Sequence, residues 1–196
     1  LYTNWECIPG GVTKIYIGSD GTSWAAVDGE NVDFSSVMGT WTNCGSAVTP
    51  WNTALTAEEY EPIASADGWQ DGVSDMSDYL GEQANPYDYG WMVEMMPDDE
   101  GDILGSLVQK QYALGRFSHE NAVVMADNKT VYHGDDGTDV VFFKTVADEA
   151  GDLSAGTIYA AKATQNDDGS FNLEWIELSQ GDDEAIAEAI RTLELP

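Results

Sequence analysis

Positive charge is the scarcest property of this sequence. Its 196 residues include 36 aspartates and glutamates but only seven lysines and arginines, which gives a formal net charge of −29. Such a surface repels polyanions, so nucleic-acid binding is excluded as a function. The excess of carboxylates has two compatible explanations: a surface adapted to salty, halophilic surroundings, and clusters of carboxylates that bind divalent cations.

Long apolar runs are also lacking. No stretch approaches the ~20 apolar residues that a membrane-spanning helix needs, so we expect no membrane span. The sequence opens at Leu1 without the pattern of a signal peptide. This opening is compatible with a processed secreted protein, a trimmed chain or a fragment.

Cysteine and histidine are rare, and the motifs of common hydrolases are missing. Cys7 and Cys44 leave open one disulfide bridge or two thiols, and they exclude a disulfide framework. His119 and His133 are too few for a histidine-rich zinc site. The sequence has no Gly-x-Ser-x-Gly elbow, His-Glu-x-x-His helix, Walker loop or dinucleotide fingerprint. Any catalysis must therefore use carboxylates and a thiolate.

The apolar residues that are present predict an all-β fold in a single domain, 1–196. Short apolar segments recur between turns rich in Gly, Asp and Asn, as in strands joined by tight turns. This pattern favours antiparallel strands in a sandwich or in propeller blades, with few short helices. The predicted strands are 12–17, 24–27, 91–95, 122–125, 140–143, 157–161 and 171–178.

Helix is predicted in two places only. At the tail, acidic residues at 182–184 suit the positive end of a helix dipole, and apolar residues then recur on one face up to Leu193. A short helix is also expected after Thr56, whose hydroxyl could cap it. Residues 68–90 are rich in Asp, Ser, Gly and Tyr and predict a long loop.

Residues 43–59 form the most specific segment for chemistry. They combine Cys44, a Thr-Pro-Trp turn and the adjacent carboxylates of Glu58 and Glu59. A thiolate is a soft ligand for iron or zinc, and carboxylates are hard ligands for iron or calcium, so the segment indicates a mixed metal centre. The alternative is a buried structural cysteine beside a solvated pair of glutamates.

A second segment, residues 114–121, places Arg116, His119 and Glu120 within five positions. An arginine fork suits a phosphate, and Glu120 could hold a cation that withdraws charge from the same phosphate. The alternative is a surface ion pair between Arg116 and Glu120.

A third segment, residues 131–137, carries Asp135 and Asp136 beside glycines, as in calcium loops and also in plain hydrophilic turns.

These three segments, in this order, resemble the PhoX-type alkaline phosphatases, and weaker similarity covers most of the chain. The resemblance implies a β-propeller-based fold and hydrolysis of phosphomonoesters at a centre that holds iron and calcium. It implies that Cys44 bridges two irons and that Glu58 or Glu59, together with Glu120, provides further metal ligands. It also implies a secreted, periplasmic or cell-surface location.

The remaining motif residues follow from the same resemblance. Asp135 and Asp136 are expected to be metal ligands, and Arg116 and His119 are expected to be catalytic. The family's C-terminal Arg-Pro-Glu motif, which adds a metal ligand and a phosphate-binding arginine, has no counterpart here. The chain is therefore expected to be a fragment, one partner of a split enzyme, or a non-catalytic derivative. In the last case it would be a secreted calcium-binding or assembly module that associates through open sheet edges.

Overall fold

The computed structural model of the chain describes residues 1–64, 73–96 and 107–194. The elements in these ranges are nearly all β-strands. The strands are β1 (Tyr2–Trp5), β2 (Gly11–Ser19), β3 (Trp24–Asn31), β4 (Asn43–Val48), β5 (Ala54–Glu58), β6 (Met92–Met95), β7 (Val108–Gln111), β8 (His119–Val124), β9 (Thr130–Asp135), β10 (Phe142–Glu149), β11 (Asp152–Gln165) and β12 (Phe171–Asp182). The helices are α1 (Val73–Leu80) and α2 (Asp183–Arg191), with short 3-10 helices at Ser35–Val37, Pro86–Asp88 and Tyr112–Leu114.

The strands form three antiparallel sheets in which sequence neighbours pair. The orders are β1-β2-β3, β4-β5-β6-β7 and β12-β11-β10-β9-β8. Aspartate turns help to close the hairpins: the Asp20 carboxylate accepts from the backbone N–H groups of Thr22 (2.8 Å) and Ser23 (2.7 Å) between β2 and β3. Asp127 accepts from the N–H groups of residues 129 and 130 between β8 and β9.

The two inner strands of the β4–β7 sheet are buried on both faces. All residues of β5 and β6 are buried. One face packs against the β8–β12 sheet in a cluster that contains Leu55, Ala57, Met92, Leu114, Ala122, Val131, Ala147 and Leu153. The other face packs against the β1–β3 sheet in a cluster that contains Val12, Val32, Phe34, Ala54, Val93, Met95 and Val108. Side chains that alternate along one strand therefore hold three sheets together.

Most sequence expectations about the elements are confirmed. Each predicted strand overlaps an observed one, and the tail forms α2, whose first N–H groups are capped by Asp182 through a 2.8 Å bond from Ala185 N. The fold is all-β with antiparallel sheets, as predicted. No helix among the described residues has the length and apolar character to cross a bilayer.

Two expectations about local structure are wrong. No helix follows Thr56, because Thr56 lies inside β5, fully buried, and its hydroxyl accepts a 3.0 Å hydrogen bond from Asn43 Nδ2 instead of capping a turn. The predicted loop at 68–90 contains α1, which buries Met76 against Trp41 and Tyr89. Residues 65–72 lie outside the described ranges.

Candidate metal centre

Candidate metal ligands from all three sheets meet at one place. Glu6 follows β1, Cys44 lies in β4, Glu59 follows β5, Glu120 lies in β8 and Asp136 follows β9. They form two groups of three, Glu6–Cys44–Glu59 and Glu59–Glu120–Asp136, and within each group the ligand atoms lie within 4.8 Å of one another. Glu59 belongs to both groups and so connects them.

Gly45 allows the strands that carry Cys44 and Glu120 to approach each other. A Cβ atom at Gly45 would lie only 1.9 Å from the backbone oxygen of Glu120. From the other side, the Asn4 Nδ2 group donates to the backbone oxygens of Cys44 (2.7 Å) and Gly45 (2.9 Å). Gly45, which has no side chain, and the side-chain amide of Asn4 therefore position the Cys44 thiol beside the carboxylates.

The site concentrates negative charge around a buried carboxyl group. Glu59 is only 3% exposed, and its Oε2 atom has no hydrogen-bond partner among the described residues. Burial raises the pKa of Glu59, and the charges of Glu120 and Glu6 raise it further, whereas hydrogen bonds from Cys44 and Tyr60 lower it. The charged groups that act most strongly on Glu59 are thus carboxylates.

The Cys44 thiol is held in its protonated form. Burial raises its pKa to about 12, and the hydrogen bond to Glu59 and the charges of Glu59, Glu120 and Glu6 act in the same direction. A thiol in this environment is a poor free nucleophile. A cation would reverse this preference, because a coordinated thiol loses its proton.

Glu58 lies in different surroundings from Glu59. It is fully buried, and its Oε1 atom lies 3.1 Å from Lys110 Nζ. Its carboxylate also accepts hydrogen bonds from the backbone N–H groups of residues 41 (3.1 Å), 90 (2.8 Å) and 91 (2.9 Å). Of the two adjacent glutamates, only Glu59 lies among the clustered candidate ligands.

The guanidinium group of Arg116 binds backbone carbonyl groups. Its Nε atom donates to Tyr89 O (2.8 Å), and its Nη2 atom donates to Pro62 O (2.7 Å) and Pro86 O (3.0 Å). These three hydrogen bonds connect the loop after β5 with the loop before β6. The arrangement therefore differs from the surface ion pair with Glu120 that the sequence left open as an alternative. The expected role of Arg116 in binding phosphate stays a prediction.

His119 lies in the interior at the start of β8. It is fully buried, its ring centroid lies 3.7 Å from that of Phe117, and its Nε2 atom donates to Gly115 O (2.9 Å). Burial lowers the pKa of His119 to about 4, so the ring is neutral at neutral pH. Its expected catalytic role also stays a prediction.

Asp135 and Asp136 line an open depression of about 360 Å³ beside the cluster, together with Tyr60, Glu61 and Ser118. Asp136 belongs to the second ligand group, whereas Asp135 belongs to neither. Burial raises the pKa of Asp135. The depression therefore opens next to the candidate ligands and is lined by acidic and hydroxyl groups.

Sequence reasoning missed two members of this site, Glu6 and Tyr60. Glu6 directly follows β1, and apart from Cys7 no residue of a metal-binding type lies near it in the sequence. Tyr60 follows the Glu58-Glu59 pair, and its hydroxyl lies within hydrogen-bonding reach of Glu59 and Asp136. Only its position next to that pair could have marked Tyr60 as a candidate.

The residues present fit a bound cation. Glu59 Oε2 is a buried acceptor for which no described residue supplies a donor, and a cation would satisfy it. The surrounding carboxylates are ligands that calcium prefers, and a thiolate with carboxylates suits iron.

The fold and this cluster together define an acidic, all-β protein with candidate ligands for metal ions, one of which is a thiol. Residues 13–194 match the family model described as alkaline phosphatase PhoX, and the chain belongs to that family. The family predicted from the three sequence segments is therefore confirmed. The chain matches no curated protein and no solved structure significantly.

Proposed function

We propose that this chain carries the metal centre of an extracytoplasmic phosphomonoesterase. The observation that supports the proposal most directly is the convergence of Cys44, Glu120 and Asp136 on Glu59, a buried carboxyl group with one oxygen that no described residue contacts as a hydrogen-bond partner. Family membership supplies the reaction class, phosphatase chemistry. Iron and calcium are the proposed metals, since both hard and soft ligands are present.

In this proposal Cys44, Glu6 and Glu59 hold one cation, and Glu59, Glu120 and Asp136 hold another. Bound cations would polarise the phosphoryl group and lower the pKa of a water molecule. Without a bound cation, the negative charges of the ligand carboxylates repel a phosphate dianion and so hinder substrate binding. The chain thus makes phosphate binding dependent on prior cation binding.

The neighbouring groups position this site. The Cys44 thiol keeps its proton hydrogen bonded to the Glu59 carboxyl group until a cation takes its place. Arg116 fastens the segment around Pro62, whose neighbours Tyr60 and Glu61 line the depression where a substrate would enter. Arg116 therefore shapes the entrance through the backbone.

We further propose that the three sheets are blades of a β-propeller. Each is an antiparallel meander, and the β4–β7 sheet packs face to face against both of the others. Successive meanders packed in this way are the building pattern of propellers.

The test combines elemental analysis of the purified chain with hydrolysis of a generic aryl phosphate, with and without a chelator. We expect bound iron and calcium, visible absorption from thiolate-ligated iron, and turnover that the chelator abolishes. Cys44→Ala should lose iron and turnover, whereas the matched variant Cys7→Ala should keep both, because Cys7 lies outside both ligand groups. A chain that contains these metals but shows no turnover would contradict the proposed catalysis.

A second candidate function is a non-catalytic calcium-binding or assembly module. The observation that favours it is the edge strand β12, which exposes Phe171 (57%), Leu173 (46%) and Leu178 (53%) and pairs with β11 alone among the described strands. Open apolar edges of this kind pair with other chains. A colourless protein that binds calcium, lacks iron and forms assemblies would support this function over the first.

A further inference from the structure

The backbone at Tyr60 adopts a conformation that bulky residues rarely take. Its φ angle is +50°, in the left-handed region. Two hydrogen bonds hold it there: the Tyr60 N–H donates to Ser118 Oγ (2.7 Å), and the Tyr60 carbonyl accepts from Trp41 Nε1 (2.9 Å). A strained conformation that its surroundings fix from two sides often belongs to a functional site.

This conformation brings the Tyr60 hydroxyl to the candidate ligands. The hydroxyl lies within hydrogen-bonding reach of both Glu59 and Asp136, which belong to the same ligand group. Tyr60 as a whole is 52% exposed and lines the depression. The Tyr60 hydroxyl thus reaches the candidate ligands from the open, solvent-facing side of the site.

We propose that Tyr60 is a positioning residue for cation binding, whose hydroxyl holds Glu59 and Asp136 at the separation that a shared cation requires. Two carboxylates this close repel each other, and an O–H group between them offsets part of that repulsion. Partners that hydrogen bond to metal ligands orient those ligands for the metal. The inference rests on the proposed function in that it assigns the cation to the same site.

The main test is a calorimetric titration of the metal-free chain with Ca²⁺. Tyr60→Phe removes only the hydroxyl oxygen and keeps the ring, so the fold should be retained. We expect its Ca²⁺ affinity to fall about tenfold, the usual scale for loss of such a partner. Tyr16→Phe is the matched control, because the Tyr16 hydroxyl also donates to a carboxylate, Glu30 Oε1 (3.0 Å), outside the cluster. Its Ca²⁺ affinity should equal that of the unmodified chain.

A second variant tests whether the backbone conformation acts through the hydroxyl. Ser118→Ala leaves the hydroxyl in place but removes the acceptor of the Tyr60 N–H. We expect weaker Ca²⁺ binding here also. The double variant combines Tyr60→Phe with Ser118→Ala. If Ser118 acts by orienting the Tyr60 hydroxyl, the double variant should bind Ca²⁺ no more weakly than Tyr60→Phe alone. If the two substitutions act independently, their losses of binding free energy should add.

The outcomes separate this inference from the proposed function. Unchanged Ca²⁺ affinity in Tyr60→Phe would overturn the inference and leave the phosphatase proposal intact. Ca²⁺ binding by the unmodified chain without phosphatase turnover would contradict the proposed function, and the titration of Tyr60→Phe would still decide the role of the hydroxyl. An unmodified chain that binds no Ca²⁺ would overturn both.

Discussion

Glu58 and Glu59 are neighbours in the chain, yet their carboxyl groups lie in opposite electrostatic surroundings. Both are buried, at 0% and 3% exposure. Glu58 faces Lys110 and three backbone N–H groups, so its charge is balanced within the protein. Glu59 faces Cys44, Glu6 and Glu120, and one of its oxygens has no partner in the described ranges.

The difference teaches how to tell a structural carboxylate from a candidate ligand. A buried charge is costly unless a partner compensates it, so an uncompensated carboxyl group indicates that the partner comes from outside the chain. Glu58 has its partner in Lys110, and removing that partner would damage the fold. Within the part of the chain that the structure describes, Glu59 has no cationic partner of this kind, so its removal should damage cation binding and leave the fold intact.

The largest effect is expected for Glu58→Gln. The substitution removes the carboxylate charge 3.1 Å from the buried Lys110 ammonium group, and breaking a buried pair in this way costs about 3–5 kcal/mol. Urea unfolding followed by tryptophan fluorescence would measure the loss of unfolding free energy.

The matched control for that experiment is Glu174→Gln. Glu174 pairs with Lys162 at 3.3 Å, but both side chains are about two-thirds exposed. The loss should stay below about 1 kcal/mol, as for other exposed pairs. Equal losses in the two variants would break the comparison, because burial would then not matter.

The next largest effect is expected for Gly45→Ala. The added methyl group would meet the Glu120 backbone oxygen at 1.9 Å, so β4 and β8 must separate. Overpacking of this kind costs about 1–3 kcal/mol, and it should also weaken Ca²⁺ binding by moving Cys44 away from Glu120. Gly134→Ala provides the control, since a Cβ atom there would meet nothing within 4 Å. A stable Gly45→Ala variant with normal Ca²⁺ affinity would show that close approach is not required.

The sequence predicted much of the fold because several strands carry their own signal. β2, with its alternation, and the turns at Asp20 and Asp127 are local features. β5 was missed because both of its faces are buried, which removes the alternation that marks a half-exposed strand. In β4, Gly45 and Ser46 conceal a strand in which Gly45 serves close packing against β8.

The candidate site could be predicted only in part, for a related reason. Cys44, Glu59, Glu120 and Asp136 belong to segments that resemble family motifs, and the structure brings them together. The choice between Glu58 and Glu59 depends on where Lys110 lies, which no local pattern reports. Glu6 is brought to the site by the contact of β1 with β4, where Asn4 binds the backbone of Cys44 and Gly45 across 40 and 41 positions of sequence.

A third buried carboxyl group, Asp183, sharpens the comparison because its partners among residues 1–64, 73–96 and 107–194 include hydrogen-bond donors but no cation. It accepts from Ala113 N (2.8 Å) and Gln109 Nε2 (3.1 Å). Burial raises its pKa from 3.8 to about 6, and the charge of Asp152 acts in the same direction. The folded chain therefore binds this proton more tightly than the unfolded chain does.

Because the pKa of Asp183 is raised in the folded chain, its effect on stability depends on pH. The contribution of Asp183 to stability is fully present below pH 3.8 and is lost as the pH rises through about 6. Between pH 4 and pH 7 the unfolding free energy should fall relative to Asp183→Asn, on the order of 2 kcal/mol. Urea unfolding of both chains across this pH range would measure the difference. A constant difference would mean that Asp183 titrates normally.

The smallest effect on the fold, and the one of opposite sign, is expected for Glu59→Gln. Removing one charge from a group of carboxylates relieves repulsion, so the metal-free chain should become more stable by about 0.5 kcal/mol. Ca²⁺ should raise the melting temperature of the unmodified chain by mass action, and this rise should vanish in the variant. Glu177→Gln, on the exposed strand β12, should retain the rise. If Glu59→Gln instead destabilised the metal-free chain as strongly as Glu58→Gln, Glu59 would be a structural carboxylate, and the distinction between the two neighbours would fail.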